Sequence, residues 1–142
     1  MPTLYDAIGA SASALSAERF RIEVAVSNLA NAESTRGANG QPYRRRDVLL
    51  APNPIETFDA ALGQAGAVGV KVVGLVEDQK PFNRRYDPAH PDADTDGFVA
   101  VPNVDVPEQM VDMMSASRAY QANLTAINLI RDMINHALDL GK

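Results

Sequence analysis

The sequence predicts a mainly α protein: a long helix at each end and a short irregular or β middle. Three observations predict it. Apolar residues recur every seven positions near the start of the chain, and they do so again near its end. Between these stretches, prolines at 42, 52, 54, 81, 88, 91 and 102 exclude long helix.

The first helix is expected from Thr3 to about Asn31. Ile8, Leu15, Ile22 and Leu29 stand seven apart, and so do Leu4, Ser11, Glu18 and Ala25. Together they give the four-three spacing of a coiled-coil seam. One line is strongly apolar and the other mostly small or polar, so the seam is thin. Ala7, Ala10, Ala12, Ala14 and Ala17 add helix propensity with little bulk. Thr3 is the expected N-cap, with Asp6 in the first turn. The run from Glu33 to Pro42 reads as loop, and Asn39-Gly40 is a strong turn signal.

Strands are expected at Tyr43–Leu50, Val68–Glu77 and Gly97–Val101, the second carrying the clearest β-branched signal. Phe58–Ala67 is Ala/Gly-rich and reads as adaptable loop. After Asn103, Asp105 with Glu108 three later forms a capping box, and Pro107 sits in the first turn, where its missing N–H costs little. From there Val106, Met113, Tyr120, Ile127 and Ile134 stand seven apart. Met110, Ser117, Leu124, Arg131 and Leu138 form the companion line, and Gly141 is the expected stop. These helices span roughly 40 Å and 50 Å at 1.5 Å per residue, long for so small a chain. Met110, Met113, Met114, Met133 and Ile130 extend the apolar surface beyond one stripe, which suggests contacts with other chains.

Composition narrows the chemistry. The 142 residues contain no cysteine and no tryptophan, so disulfides, zinc-thiolate sites and cysteine nucleophiles are excluded. The net charge of -5 argues against nucleic acid as the main partner. The one basic cluster, Tyr43-Arg44-Arg45-Arg46, reads as a solvated face or as a partner for acids. His90 and His136 are the only histidines, and neither has a nucleophile or acid placed by spacing. No phosphate-binding glycine loop is present. Nothing in the pattern asks for a cofactor, a small-molecule substrate or catalysis. The sharpest chemical signal is Asp92-Ala-Asp94-Thr-Asp96-Gly97-Phe98-Val99. It matches the first eight positions of a calcium loop but has Asn103 where the bidentate glutamate belongs. The alternatives are a weak calcium site in a helical adaptor protein, or an acidic turn whose aspartates cap local amides.

Longer motifs carry a resemblance. Ser27-Asn28-Leu29-Ala30-Asn31-Ala32 with Thr35 is followed by Gly40-Gln-Pro42-Tyr43-Arg44-Arg45. Asp87-Pro-Ala-His90-Pro91-Asp92-Ala93 and Gly97-Phe98-Val99 precede Pro102-Asn103-Val104-Asp105-Val106. Glu108-Gln109-Met110-Val111 and Ser117-Arg118-Ala119-Tyr120-Gln121-Ala122-Asn123 close the set. This set resembles the bacterial flagellar basal-body rod proteins, nearest their small proximal members. The resemblance implies that the terminal helices pair as an antiparallel coiled coil, positions 1–35 with 103–142, around a middle segment at 36–102. It implies a hollow axial shaft assembled with other rod proteins above the inner-membrane ring and spanning the periplasm. It also implies export by the flagellar type III apparatus without a cleaved signal peptide, and no secretory signal is visible in Met-Pro-Thr-Leu-Tyr-Asp. The residues expected to carry assembly and packing are Ile8, Leu15, Ile22 and Leu29 on the first helix, and Met110, Met113, Tyr120, Leu124, Ile127 and Ile134 on the second. Asn28, Asn31 and Asn123 are expected to hydrogen-bond within or between subunits and set register. Arg118 is expected to pair with an acid.

Overall fold

A computed structural model describes residues 4–37, 39–54 and 68–139. The Phe58–Ala67 segment and the Thr3 and Gly141 caps lie outside these. Within them the order is α1 (Leu4–Ala30), β1 (Arg46–Pro54), β2 (Val68–Glu77), β3 (Asn83–Tyr86), β4 (Phe98–Val101) and α2 (Val106–Asp139). The chain is mainly α with a small β middle, as its periodicity requires. No helix among the described residues is long and apolar enough to cross a membrane.

The alanine-rich α1 runs for 27 residues with Asp6 in its first turn, where a carboxylate suits the helix dipole. Its end is built by local bonds. The Ser27 carbonyl accepts twice from Asn31, from its backbone N–H at 3.1 Å and from its side-chain Nδ2 at 2.8 Å. The following Asn39-Gly40 turn forms as expected, with Gly40 at φ 71° and its N–H on the Gly37 carbonyl at 3.0 Å. The second helix, α2, begins at Val106, directly after Asp105, and runs for 34 residues. Gln109 N–H reaches the Asp105 carbonyl at 3.0 Å.

β2 occupies the expected Val68–Glu77 and pairs with β1 in a two-stranded sheet. β1 lies three to four residues later than its apolar pattern suggests, at Arg46–Pro54. At its start, Arg45 is only half engaged in pairing: its carbonyl accepts from Asp78 N–H at 2.9 Å, while its N–H is taken by Asn103 Oδ1 at 2.9 Å. Pro52 and Pro54 are accommodated because a two-stranded ribbon leaves unpaired edge positions. β3 was not expected. Asn83-Arg84-Arg85-Tyr86 is polar and exposed throughout, yet it pairs antiparallel with β4, Asn83 opposite Val101 and Tyr86 opposite Phe98.

The chain forms two compact units. One draws on Met1–Phe20, Leu49–Gly74 and Ser115–Lys142; the other on Arg21–Val48 and Leu75–Met114. In the second unit Val99, Pro102 and Val104 are buried together with Val24, Ala25, Asn28 and Gln109. In the first, Ala17, Gly69 and Ala116 are the buried residues among those described, and α1 meets β2 closely. Val70 N–H donates to Ser13 Oγ at 3.0 Å, and the same hydroxyl donates to the Ala10 carbonyl at 2.7 Å. A Cβ on Gly69 would stand 2.6 Å from Ser13 Oγ, so any larger residue there must displace that hydroxyl from its bond to Val70 N–H.

Candidate assembly site

Asn28 lies in the last turns of α1 and is 1% exposed. All four hydrogen-bonding positions of its amide are filled. Oδ1 accepts from Arg46 N–H at 3.0 Å and from the Tyr43 hydroxyl at 2.9 Å. Nδ2 donates to the Arg46 carbonyl at 2.8 Å and to Gln109 Oε1 at 2.7 Å. One side chain thus joins the end of α1, the start of β1 and the first turn of α2. A buried polar group is tolerable only when satisfied in this way.

A second amide repeats the device. Asn103, just before α2, accepts from Arg45 N–H and donates through Nδ2 to the carbonyls of Asp78 and Lys80, each at 3.3 Å. Arg45 closes the arrangement with ion pairs to Glu108 at 2.9 Å and Asp47 at 3.1 Å. Partial burial pulls the Arg45 guanidinium pKa down. The bonds and charges of Asp47 and Glu108 outweigh that, so the net shift is upward. Glu108 therefore serves Arg45. Arg44 lies over the Phe82 ring at 4.3 Å and donates to the Asp78 and Lys80 carbonyls, and Arg46 pairs with Glu77 at 3.2 Å. Each arginine of the basic run is engaged inside the fold.

The acidic loop is a capped turn. Asp94 Oδ1 accepts from Phe98 N–H at 2.8 Å and Asp96 N–H at 3.0 Å, and Oδ2 takes Arg84 at 2.6 Å. The Phe98 amide bond, ahead of the Arg84 and Asp96 bonds, holds the Asp94 pKa below its ordinary 3.8. Gly97 has φ 79°, and a Cβ there would meet the Tyr86 ring at 3.0 Å. Asp92 is committed elsewhere, to the Thr35 hydroxyl at 2.9 Å and to Arg36 at 3.0 Å, tying this loop to the turn after α1. Among the described residues no group of three or more His, Asp or Glu is placed to hold a metal ion.

The other expected assembly residues spread along both helices. Ile8, Leu15, Ile22 and Leu29 are half-buried on α1, while the buried stripe runs through Ala17, Val24, Ala25 and Asn28. On α2, Met113, Tyr120, Ile127 and Ile134 are half-buried, as are Asn123 and Ile130, while Gln109 and Ala116 are buried. Met110 and Leu124 are exposed, at 47% and 44%. Asn31 and Asn123 spend their amide donors on their own helices, Asn123 on the Ala119 carbonyl at 2.9 Å. Arg118 is exposed on α2. Gln109, Tyr43, Asn103 and Arg45 were not among the expected residues. The available signal was Gln109 itself, a polar side chain seven before Ala116 on a helix with an apolar stripe.

The same residues lie in the segments that the chain shares with known proteins. Residues 95–140 match the model described as flagellar basal body rod FlgEFG protein C-terminal. The chain is 48% identical over 130 residues to the flagellar basal-body rod protein FlgC of Salmonella typhimurium, covering 92% of each. It is 44% identical over 151 aligned positions to FlgC of Bacillus subtilis, covering 99% of each. To FlgC of Borreliella burgdorferi it is 41% identical over 149 positions, covering 95% of each. With such identity along nearly its whole length, the chain belongs to the FlgC family of flagellar basal-body rod proteins.

Proposed function

We propose that this chain is a structural, non-enzymatic subunit of the proximal rod in the flagellar basal body, assembling with other rod proteins into the axial shaft. Family membership carries the reading. The surface supports it: Leu4, Met110, Val111, Met114, Leu124, Leu129, Met133 and Leu138 are large apolar side chains of the two helices left in water. So many on one small chain mark a protein that is completed by neighbours.

In this reading the terminal segments 1–35 and 103–142 pair as an antiparallel coiled coil, and 36–102 contacts neighbours from outside it. The Asn28–Gln109 bond supports that direction, because it joins the end of one helix to the start of the other. The subunit reaches the periplasmic part of the basal body through the flagellar type III export apparatus, and the base of the shaft meets the inner-membrane ring. The test is to delete the gene, restore it as a tagged copy, and isolate basal bodies. Loss of motility on deletion and recovery of the tagged chain in the rod fraction are expected. Motile deletion cells, or a tagged chain absent from purified basal bodies, would refute the proposal.

A further inference from the structure

Arg44 carries a charge that the fold holds in place and does not neutralise. Its Nη1 donates to the carbonyls of Asp78 and Lys80, each at 3.2 Å, and its guanidinium carbon lies 4.3 Å from the centre of the Phe82 ring. All three partners are neutral groups. The neighbouring arginines differ: Arg45 pairs with Asp47 and Glu108, and Arg46 pairs with Glu77. Arg44 has no ion pair among the described residues. A guanidinium keeps its proton in a protein, so the charge is permanent.

These contacts leave one edge of the guanidinium free. Both hydrogens of Nη1 have acceptors, while Nε and Nη2 have none among the described residues. Together Nε and Nη2 form the fork that meets a carboxylate through two parallel bonds. This edge reaches water: among the described residues the one buried side-chain nitrogen without a partner is Gln109 Nε2. The pinned Nη1 and the stacked ring fix the fork, so little side-chain freedom remains to be lost on binding.

The surroundings suit an anion. Arg44 lines a cavity of about 260 Å³ with Asn39, Gln41, Tyr43, Arg46 and Glu77. Two arginines against one glutamate leave the lining at +1, on a chain whose net charge is -5. The glutamate is already held by Arg46 at 3.2 Å. Asn39 and Gln41 are exposed, and their side-chain amides, without partners among the described residues, offer further N–H donors.

We propose that this cavity receives a carboxylate side chain of an adjacent rod subunit, gripped by Nε and Nη2 of Arg44. This rests on the rod-subunit reading and adds a contact to it. A cation would meet two arginines, and a neutral side chain would leave the Arg44 charge without a counter-charge. A free anion must be ordered from dilute solution. A carboxylate carried by a docked neighbour arrives at high effective concentration.

The first arm of the test uses the wild-type chain and phenylglyoxal, which modifies accessible guanidinium groups. Arg44 should react in the purified chain and at least about tenfold more slowly in intact basal bodies, as an occupied site requires. Equal rates would overturn the proposal. Protection of the purified chain to the same degree by sodium acetate alone would assign the site to a solution anion and overturn it as well. In the second arm, cells lacking the native gene express Arg44→Lys, and their basal bodies are treated with a carbodiimide, which joins an amine to a touching carboxylate. The expected product is a covalent pair of chains linked between position 44 of one and an aspartate or glutamate of the other, absent from Arg44→Gln rods. Links within one chain only, or none in incorporated chains, contradict the contact. The first arm decides even where the variants do not enter the rod. Absence of the wild-type chain from basal bodies would instead sink the rod reading itself.

Discussion

Asn28 Nδ2 donates to Gln109 Oε1 across 2.7 Å, and the orientation of both amides follows from the backbone of Arg46. Arg46 N–H can only donate, so the atom of Asn28 that meets it is Oδ1. That turns Nδ2 toward the Arg46 carbonyl and toward Gln109, which must present its oxygen. Gln109 Nε2 is then left buried without a partner. Gln109 also lines a cavity of about 150 Å³ together with Arg21, Asn28, Arg46, Asp47 and Asp112.

Asn28→Ala is expected to lower unfolding stability by about 3 kcal/mol, because it leaves Arg46 and Gln109 groups unsatisfied in a buried place. Tyr43→Phe should cost about 1 kcal/mol or less, since Asn28 Oδ1 keeps its bond to Arg46 N–H. Urea denaturation followed by circular dichroism measures both. Equal costs for the two variants would mean that Asn28 is not the hub.

Gln109→Glu retains an acceptor for Asn28 Nδ2 but buries a second carboxylate oxygen with no partner where Nε2 stood, so stability should fall by about 1–2 kcal/mol. Gln109→Lys offers no acceptor and should cost at least about 2 kcal/mol. The ranking of their thermal midpoints is the readout; a lysine variant as stable as the glutamate variant contradicts the geometry.

Gly69→Ala places a Cβ against Ser13 Oγ and should cost about 1–3 kcal/mol. Ser13→Ala removes the acceptor of Val70 N–H and should cost about 1–2 kcal/mol. In the double variant the clash is gone, so the combined loss should fall short of the sum. A double-mutant cycle showing strict additivity would deny the contact.

Asp94 titrates below its ordinary value in the folded chain, so its contribution is present above 3.8 and is lost as pH falls through the lower folded value. The Phe98 and Asp96 amide resonances should therefore shift with protonation of Asp94 at a pH below 3.8. Asp94→Asn should abolish that titration. A midpoint at or above the ordinary carboxylate value would exclude the capped turn.

Much of this was legible in the residues. Heptad spacing located both helices to within a few positions, because an α-helix repeats its faces locally. The run of valines located β2 for the same reason: alternation along a strand is a property of neighbouring residues. The family motifs marked Asn28 as special. Charge and spacing left the acidic loop open between a calcium site and a turn; what the tertiary structure adds is that Asp94 is bonded by the Phe98 and Asp96 amides of its own loop and by Arg84.

What the tertiary structure alone decided is who meets whom. β3 was invisible because its polar side chains carry no burial signal; its existence comes from backbone pairing with β4, which is non-local. Gln109 as the partner of Asn28, Asn103 as the partner of Arg45 and Ser13 as the partner of Val70 lie 81, 58 and 57 residues apart along the chain. The sequence by itself determined two helical ends and a proline-broken middle, since those depend on interactions within a few residues. Which polar atoms lock the ends and the middle together depends on contacts that local pattern does not encode.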